Sequence, residues 1–282
     1  VKAPVSIVIP CRDRAGELAV LLASLAGLEP APLEVIVVDD GSAQPLSAPG
    51  ARVLRNERPV GPAAAKNQGA AAAGGEFLLF MDSDTEAVDP GLLGRLTALF
   101  QARSDCGIAG GEFILRDGEW RVALRSFDAA GAVQTRLLPA PVAATSGVSH
   151  ISSSNLMIRA SVFSELGGYW EPYRYIMEDV DLCVLARARG WKVYTGSELA
   201  VRHYRTPTAR STSHVRTMHL RNQALFWVCW GRSGRALRAL ARGLAPRLLS
   251  AAVSAAVSAA AAYPAAARRR RSLGGLTEGA WA

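Results

Sequence analysis

Between residues 5 and 115, short apolar runs alternate with stretches of helical period, the pattern of βαβ units around a mostly parallel sheet. Val5-Ser6-Ile7-Val8-Ile9 predicts a first strand, stopped at Pro10. From Arg14 to Leu28, Leu18, Leu21, Leu22 and Leu25 recur at helical spacing, and Leu33 to Val38 predicts a second strand. A β segment is expected at Arg52 to Leu54, then a helix from Ala63 to Ala73. After Gly74-Gly75, a buried strand is expected at Phe77 to Met81. Farther along, Ser161 is positioned to cap a helix that Gly167-Gly168 ends. Val180 to Arg189 predicts a helix closed by Gly190, and Trp191 to Thr195 another strand. Arg116 to Leu138 shows no clear period, and Ala140 to Gly147 reads as a loop.

Ligands of open α/β sheets bind beyond the carboxyl ends of the strands. Cys11 to Arg14, Asp39 to Ser42 and Asp82 to Asp84 each follow a predicted strand, so the three clusters are expected to converge on one crevice. In extended backbone, positions i and i+2 point the same way, which would let Asp82 and Asp84 share one hard divalent cation. Asp-Gly and Asp-Ser are also ordinary turn formers, so no cluster is decisive alone. Gly110-Gly111 fits either a close approach of backbone to ligand or a tight turn.

Composition narrows the picture. A chain of 282 residues, half of them hydrophobic, suits one large α/β domain with an appendage. Cys11, Cys106, Cys183 and Cys229 form no CxxC pair and suggest neither a zinc site nor a disulfide framework, but reduced buried thiols in a cytoplasmic setting. The early strand leaves no room for a cleaved signal. The net charge of +8 is uneven, because Arg232 to Ala282 holds nine arginines against one acidic side chain, Glu278. An anionic membrane surface is the expected partner of such a tail. Nucleic acid is not expected, since the aromatic interleaving of single-strand binders is missing. Leu237, Leu240, Leu244 and Leu248, with Arg235, Arg238 and Arg242 between them, predict an amphipathic surface helix. Leu248 to Ala267 approaches the length of a bilayer span, yet it is mostly alanine and contains Pro264. Peripheral attachment at the inner face of the cell membrane is therefore expected over insertion. Arg268 to Arg271 would bind anionic lipid or form a solvated end.

Six ordered segments carry a more specific signal. They are Val5 to Pro10, Val37 to Ser42, Gly61 through Asn67 and Gly69, Asp82-Ser83-Asp84, Asn155 to Arg159, and Glu178-Asp179-Val180-Asp181-Leu182. Their order and spacing resemble glycosyltransferase family 2. The resemblance extends to about His203 and reaches Arg221-Asn222 only loosely. It implies a GT-A fold, a Rossmann-like nucleotide-binding mixed α/β sheet flanked by helices, over residues 1–205. A basic, Ala/Arg-rich helical extension would follow over 206–282.

The implied activity is metal-assisted, inverting transfer of a sugar from a nucleotide-diphosphate sugar to a hydroxyl of a glycan or lipid-linked acceptor, with Mg²⁺ or Mn²⁺. By family position Asp179 is the catalytic base, with Glu178 in support. Asp40 would accept a hydrogen bond from the base, with Asp39 holding its loop. Pro10 and Arg12 border the nucleoside, and Lys66 and Asn67 line the nucleotide pocket. Asp82 approaches the ribose or the metal, Asp84 binds the metal, and His203 helps hold metal or diphosphate. Each has a plainer alternative: Lys66 as a solvated helix charge, and His203 as a satisfied structural histidine. A sugar-nucleotide pyrophosphorylase is disfavoured because no glycine- and arginine-rich loop follows Ile9. Retention of Asp82, Asp84 and Asp179 argues against a non-catalytic nucleotide-sugar or glycan-binding scaffold.

Overall fold

Strand β4 (Phe77–Met81) shows why the central sheet forms. All five residues are apolar and buried; Phe77, Leu79 and Met81 face one core, and Leu78 and Phe80 the other. A strand covered on both faces belongs inside a parallel, helix-flanked sheet. In this computed structural model, which describes residues 2–128, 132–205, 212–232, 235 and 249–273, that sheet has seven strands.

Its order begins with β11 (Lys192–Thr195), β6 (Cys106–Gly110) and β10 (Asn155–Arg159). It continues through β4, β1 (Ala3–Cys11) and β2 (Pro32–Asp39) to β3 (Arg52–Arg55). β4, β1, β2 and β3 run parallel, whereas β10 is antiparallel to both β4 and β6. Helices α1 (Ala15–Ala26) and α3 (Leu92–Ala102) cover one face, burying Leu18, Leu21, Leu25, Leu92, Leu96 and Phe100. α4 (Ala160–Glu165) and α5 (Glu178–Ala188) pack on the other, and α2 (Pro62–Ala71) adds Ala63 there.

A second, five-stranded sheet runs β5 (Thr85–Glu86), β12 (Val201–His203), β7 (Glu112–Arg116), β8 (Glu119–Phe127), β9 (Val133–Pro139). It takes in Arg116 to Leu138, where the sequence shows no clear period. Asp117 and Gly118, at φ of 52° and 79°, join β7 to β8 in a two-residue hairpin closed by the pair Arg116 and Glu119. Two further expectations change. Ser161 lies inside α4, whose N-cap is Arg159 with no side-chain cap. Gly110-Gly111 serves strand packing rather than a tight turn: a Cβ on Gly110 would lie 2.1 Å from the Asn155 carbonyl oxygen of β10.

The residues after the sheets are joined to this core. α6 (Thr212–Cys229), Trp230 just after it and α7 (Leu249–Leu273) contribute Phe226, Trp227, Trp230, Ala259, Ala266 and Leu273 to the cluster that contains Phe80 and Leu182. Ala259, Ala266 and Leu273 recur every seven residues, one stripe along α7. Arg269, within the expected lipid-binding run, turns inward to the Asp181 carboxylate and over the Trp170 ring. Among the described residues no helix is long and apolar enough to cross a membrane. The stretch from Leu237 to Leu248 lies outside them. All four cysteines are free and buried, and burial pushes the Cys106 and Cys183 thiols up to about 12.

One core group makes stability depend on pH. His150 is 2% exposed, against the Phe127 ring, and its Nδ1 meets Ser149 Oγ at 2.6 Å. Burial first, then the charges of Arg125 and Arg187, pull its pKa down to about 3. A depressed histidine contributes stability that is present above the unfolded value near 6.5 and is lost as pH falls toward 3. The loss is about 1.4 kcal/mol per pH unit in that window. Burial lifts Glu178 to about 7, which gives the opposite slope between roughly 4.5 and 7. Denaturant unfolding at pH 7 and pH 4 should therefore show His150→Gln losing less stability on acidification than the unsubstituted chain; equal slopes would contradict it.

Candidate active site

The three polar clusters after β1, β2 and β4 do converge. Asp40 N–H donates to the Cys11 carbonyl at 2.9 Å, Asp13 N–H to Ser42 Oγ at 3.0 Å and Ala43 N–H to Asp13 Oδ1 at 2.8 Å. Arg14 Nη1 lies 3.0 Å from Asp84 Oδ2, tying the first cluster to the third. Arg14 is buried, whereas Arg12, the arginine singled out from sequence, sits at the rim and pairs with Asp13 at 3.4 Å. Pro10 is half-buried in β1, opposite Val38.

Asp39 is fully buried and accepts from the amides of Ser42 at 2.9 Å and Leu46 at 3.2 Å, and from Arg55. Burial pushes its pKa up, but these donors outweigh burial and hold it below the usual carboxylate range. Asp40 organises the loop before α2: its carboxylate accepts from Asn56 Nδ2 at 3.1 Å and from the amides of Val60 and Gly61 at 2.8 and 2.9 Å.

The Asp82-Ser83-Asp84 segment is a turn, not extended backbone. The Thr85 amide and hydroxyl both donate to the Asp82 carbonyl, at 3.2 and 2.7 Å. The carboxylates converge because the turn re-enters β5, and β5 pairs with β12 so that Thr85 stands opposite His203. His203 Nε2 is 3.4 Å from Asp84 Oδ1 and 4.0 Å from Asp82 Oδ2. Asp82, Asp84 and His203 thus offer three ligand atoms within 4.8 Å of one another.

The other face of the imidazole identifies a residue that sequence reading missed. Glu112, fully buried on β7, contacts His203 Nδ1 and Arg125, and accepts from Ser154 Oγ at 3.1 Å and Arg205 Nη2 at 3.0 Å. A carboxylate on Nδ1 fixes the tautomer that presents the Nε2 lone pair toward Asp82 and Asp84. Nε2 is buried and makes no hydrogen bond among the described residues. This donor set of two carboxylate oxygens and one imidazole nitrogen fits a divalent cation. No motif marks Glu112 in sequence; it reaches the histidine through the parallel pairing of β7 with β12.

Lys66 is 1% exposed, which rules out the solvated alternative. Its ammonium contacts Ser153 Oγ, lies 3.2 Å from Glu178 Oε1 and 3.8 Å from Asp82 Oδ1, and sits 5.4 Å from the centre of the Tyr169 ring. Burial would lower its pKa, but the charges of Glu178, Asp82 and Asp179 overcome that and raise it. Asn67, expected in the nucleotide pocket, is instead spent on the turn after α4. Its amide donates to the Tyr169 carbonyl at 2.9 Å and to Glu171 at 3.1 Å, and accepts the Tyr169 N–H at 2.9 Å.

Glu178 and Asp179 open α5 with different surroundings. Glu178 is 4% exposed and paired with Lys66; burial first, then the Asp179 charge, raises it against the pull of Lys66. Asp179 stays half-exposed, accepting from the Ser153 amide at 3.1 Å and from its own helix at Val180, 2.8 Å.

Comparison with known proteins gives the family and the fold. The family model of glycosyl transferase family 2 matches residues 6–167. The pre-mycofactocin glycosyltransferase of Mycobacterium tuberculosis is 38% identical over 188 residues, which cover 64% of this chain and 38% of that protein. The O-antigen biosynthesis protein RfbC of Myxococcus xanthus is 28% identical over 228 residues, 73% of this chain and 18% of that one. The chain thus spans less than two fifths of the length of these relatives. The mannosyltransferase PcManGT of Pyrobaculum calidifontis, solved with GDP-Man and Mn²⁺, superposes with a TM-score of 0.59 at 16% identity, covering 99% of this chain and 86% of its own. S. aureus TarS, solved with UDP-GlcNAc, gives 0.57 at 18% identity over 80% and 66%. At such identities the structural likeness is one of fold, which is GT-A. With more than half of its residues matched by the family model, the chain belongs to glycosyl transferase family 2.

Proposed function

We propose that the chain transfers a sugar from a nucleotide-diphosphate sugar to a hydroxyl of a glycan or lipid-linked acceptor, with inversion at the anomeric carbon. The observation that carries this reading is the Asp82, Asp84 and His203 cluster, which the Lys66 ammonium links through Asp82 to Glu178, the neighbour of half-exposed Asp179. Solved relatives of the same fold hold GDP-Man with Mn²⁺ or UDP-GlcNAc, which supports such a donor.

Each side chain then has a task. Asp40 shapes the loop from Asn56 to Gly61 that borders the nucleoside, with Asp39 anchoring its start. Asp82, Asp84 and His203 Nε2 would hold Mg²⁺ or Mn²⁺, with Glu112 fixing the imidazole. When bound, the cation supplies Lewis-acid stabilisation of the departing diphosphate. Lys66, held as ammonium, balances the negative charge gathered at Asp82, Glu178 and Asp179. Asp179 takes the acceptor hydroxyl's proton as its oxygen attacks the anomeric carbon and the diphosphate leaves. Glu178 is buried against Lys66, which argues against a second carboxylate nucleophile and for a single displacement.

A panel of UDP, dTDP and GDP sugars, assayed for hydrolysis and transfer with Mn²⁺ or Mg²⁺, tests the proposal. Release of the nucleoside diphosphate from one donor class, with a glycoside of opposite anomeric configuration, is expected. Formation of a sugar nucleotide from a sugar phosphate and a nucleoside triphosphate would replace it with the pyrophosphorylase reading.

A further inference from the structure

The Arg221-Asn222 pair lies on α6, in the chain beyond both sheets, yet both side chains are buried. Asn222 Nδ2 is 2.9 Å from the carbonyl of Tyr173, 2.6 Å from that of Tyr175 and 2.8 Å from that of Ile176. Its Oδ1 accepts from Arg221 Nη1 at 2.5 Å; Arg221 also donates to the Pro172 carbonyl at 3.0 Å and to Ser258 Oγ of α7 at 2.8 Å. Two amide hydrogens serve three carbonyls, so one hydrogen is shared.

The segment they hold is unusual. Arg174, Ile176 and Met177 have φ of 60°, 68° and 78°. Non-glycine residues rarely adopt this left-handed region, and a β-branched one there is an outlier. Such conformations persist only where the surroundings over-determine them. Met177 is the N-cap of α5, so the next two residues are Glu178 and Asp179. On its other side the loop abuts the donor loop. The Arg174 carbonyl accepts from the Ala63 amide at 3.3 Å, and a Cβ on Gly61 would lie 2.9 Å from that oxygen. Without the Asn222 amide, the carbonyls of Tyr173, Tyr175 and Ile176 lose a common partner. The turn then relaxes toward negative φ and shifts the first turn of α5.

We propose that Asn222 is a positioning residue for the transfer step: its amide pins the left-handed turn Arg174 to Met177 and so sets the place of the Asp179 carboxylate. This rests on the reading of Asp179 as the base. Displacing a reacting group by about 1 Å costs on the order of 10² in rate. Asn222→Ala is therefore expected to lower kcat about 100-fold. Donor KM and calorimetric affinity for the nucleoside diphosphate should stay within about threefold, as when an interaction acts only in the transition state.

Two combinations separate this from loss of packing. Asn222→Ala added to Asp179→Asn should cost nothing further, because groups acting as a unit are not additive. Ile176→Gly added to Asn222→Ala should recover part of kcat, because glycine takes positive φ freely. If Asn222→Ala does not accumulate as folded protein, Asn222→Gln, which keeps a buried amide but moves it by one methylene, carries the same readings. Unchanged kcat, equal losses in kcat and nucleotide affinity, or multiplying losses in the double variant would each overturn the proposal. Asp179→Asn alone reports on the base: full turnover in that variant removes the base reading, whatever Asn222 does.

Discussion

Asp179→Asn is expected to lower transfer by roughly 10² to 10⁴, the range that a positioned general base supplies, while leaving affinity for the nucleoside diphosphate nearly intact. The side chain accepts from the Ser153 amide and from Val180 of its own helix. The two amides use different carboxylate oxygens, and an asparagine keeps one of them; turned toward the Ser153 amide, it should hold the backbone of the 153 loop. What it loses is the charge that can take a proton. A secondary signature follows, because the Asp179 charge helps raise both Lys66 and Glu178. Removing it should lower the Glu178 pKa from its value of about 7, steadying the ion pair with Lys66 near neutrality. Calorimetry with the nucleoside diphosphate, alongside a transfer assay, distinguishes the outcomes. Equal loss of binding and turnover would assign Asp179 a structural role.

Asp84→Asn should abolish measurable Mn²⁺ binding and lower turnover more than the roughly 10- to 100-fold that loss of an outer partner of a metal ligand costs. The carboxylate is buried between Arg14 at 3.0 Å and His203 Nε2 at 3.4 Å, so the substitution removes a metal ligand and the countercharge of a buried arginine together. A fall in thermal stability is expected as well, since breaking a buried ion pair by removing one of its charges is costly. Asp82→Asn separates the two effects. Asp82 is half-exposed and does not pair with Arg14, so it should lose Mn²⁺ affinity with little loss of stability. Calorimetric Mn²⁺ titration of the protein without donor checks both variants apart from activity. Full turnover of Asp84→Asn in a strong chelator would remove the metal from the mechanism.

The first four parallel strands were legible because buried strands of a helix-flanked sheet are continuous apolar runs, as at Val5 to Ile9 and Phe77 to Met81. Their polar C-terminal clusters were legible for the same reason: where the apolar run stops, the crevice begins. The second sheet was not. β9 is largely exposed on both sides and shows little alternation, and β8 mixes buried and exposed positions without a clean period of two. One local signal was available, Asp117-Gly118, a dipeptide suited to a tight hairpin.

By itself, then, the sequence determined the α/β class, the strand ends that line the crevice and the acidic pairs Asp39-Asp40, Asp82 with Asp84, and Glu178-Asp179. These are properties of contiguous segments, set by local period and by residue type. Only the tertiary structure decided which charges meet. Arg14 rather than Arg12 reaches Asp84, Glu112 orients His203, Lys66 is buried among carboxylates, and Asn222 holds the turn before α5. Each of these contacts joins segments distant in the chain. Burial, not spacing, makes them consequential, because a charge or amide removed from water must find its partner within the protein.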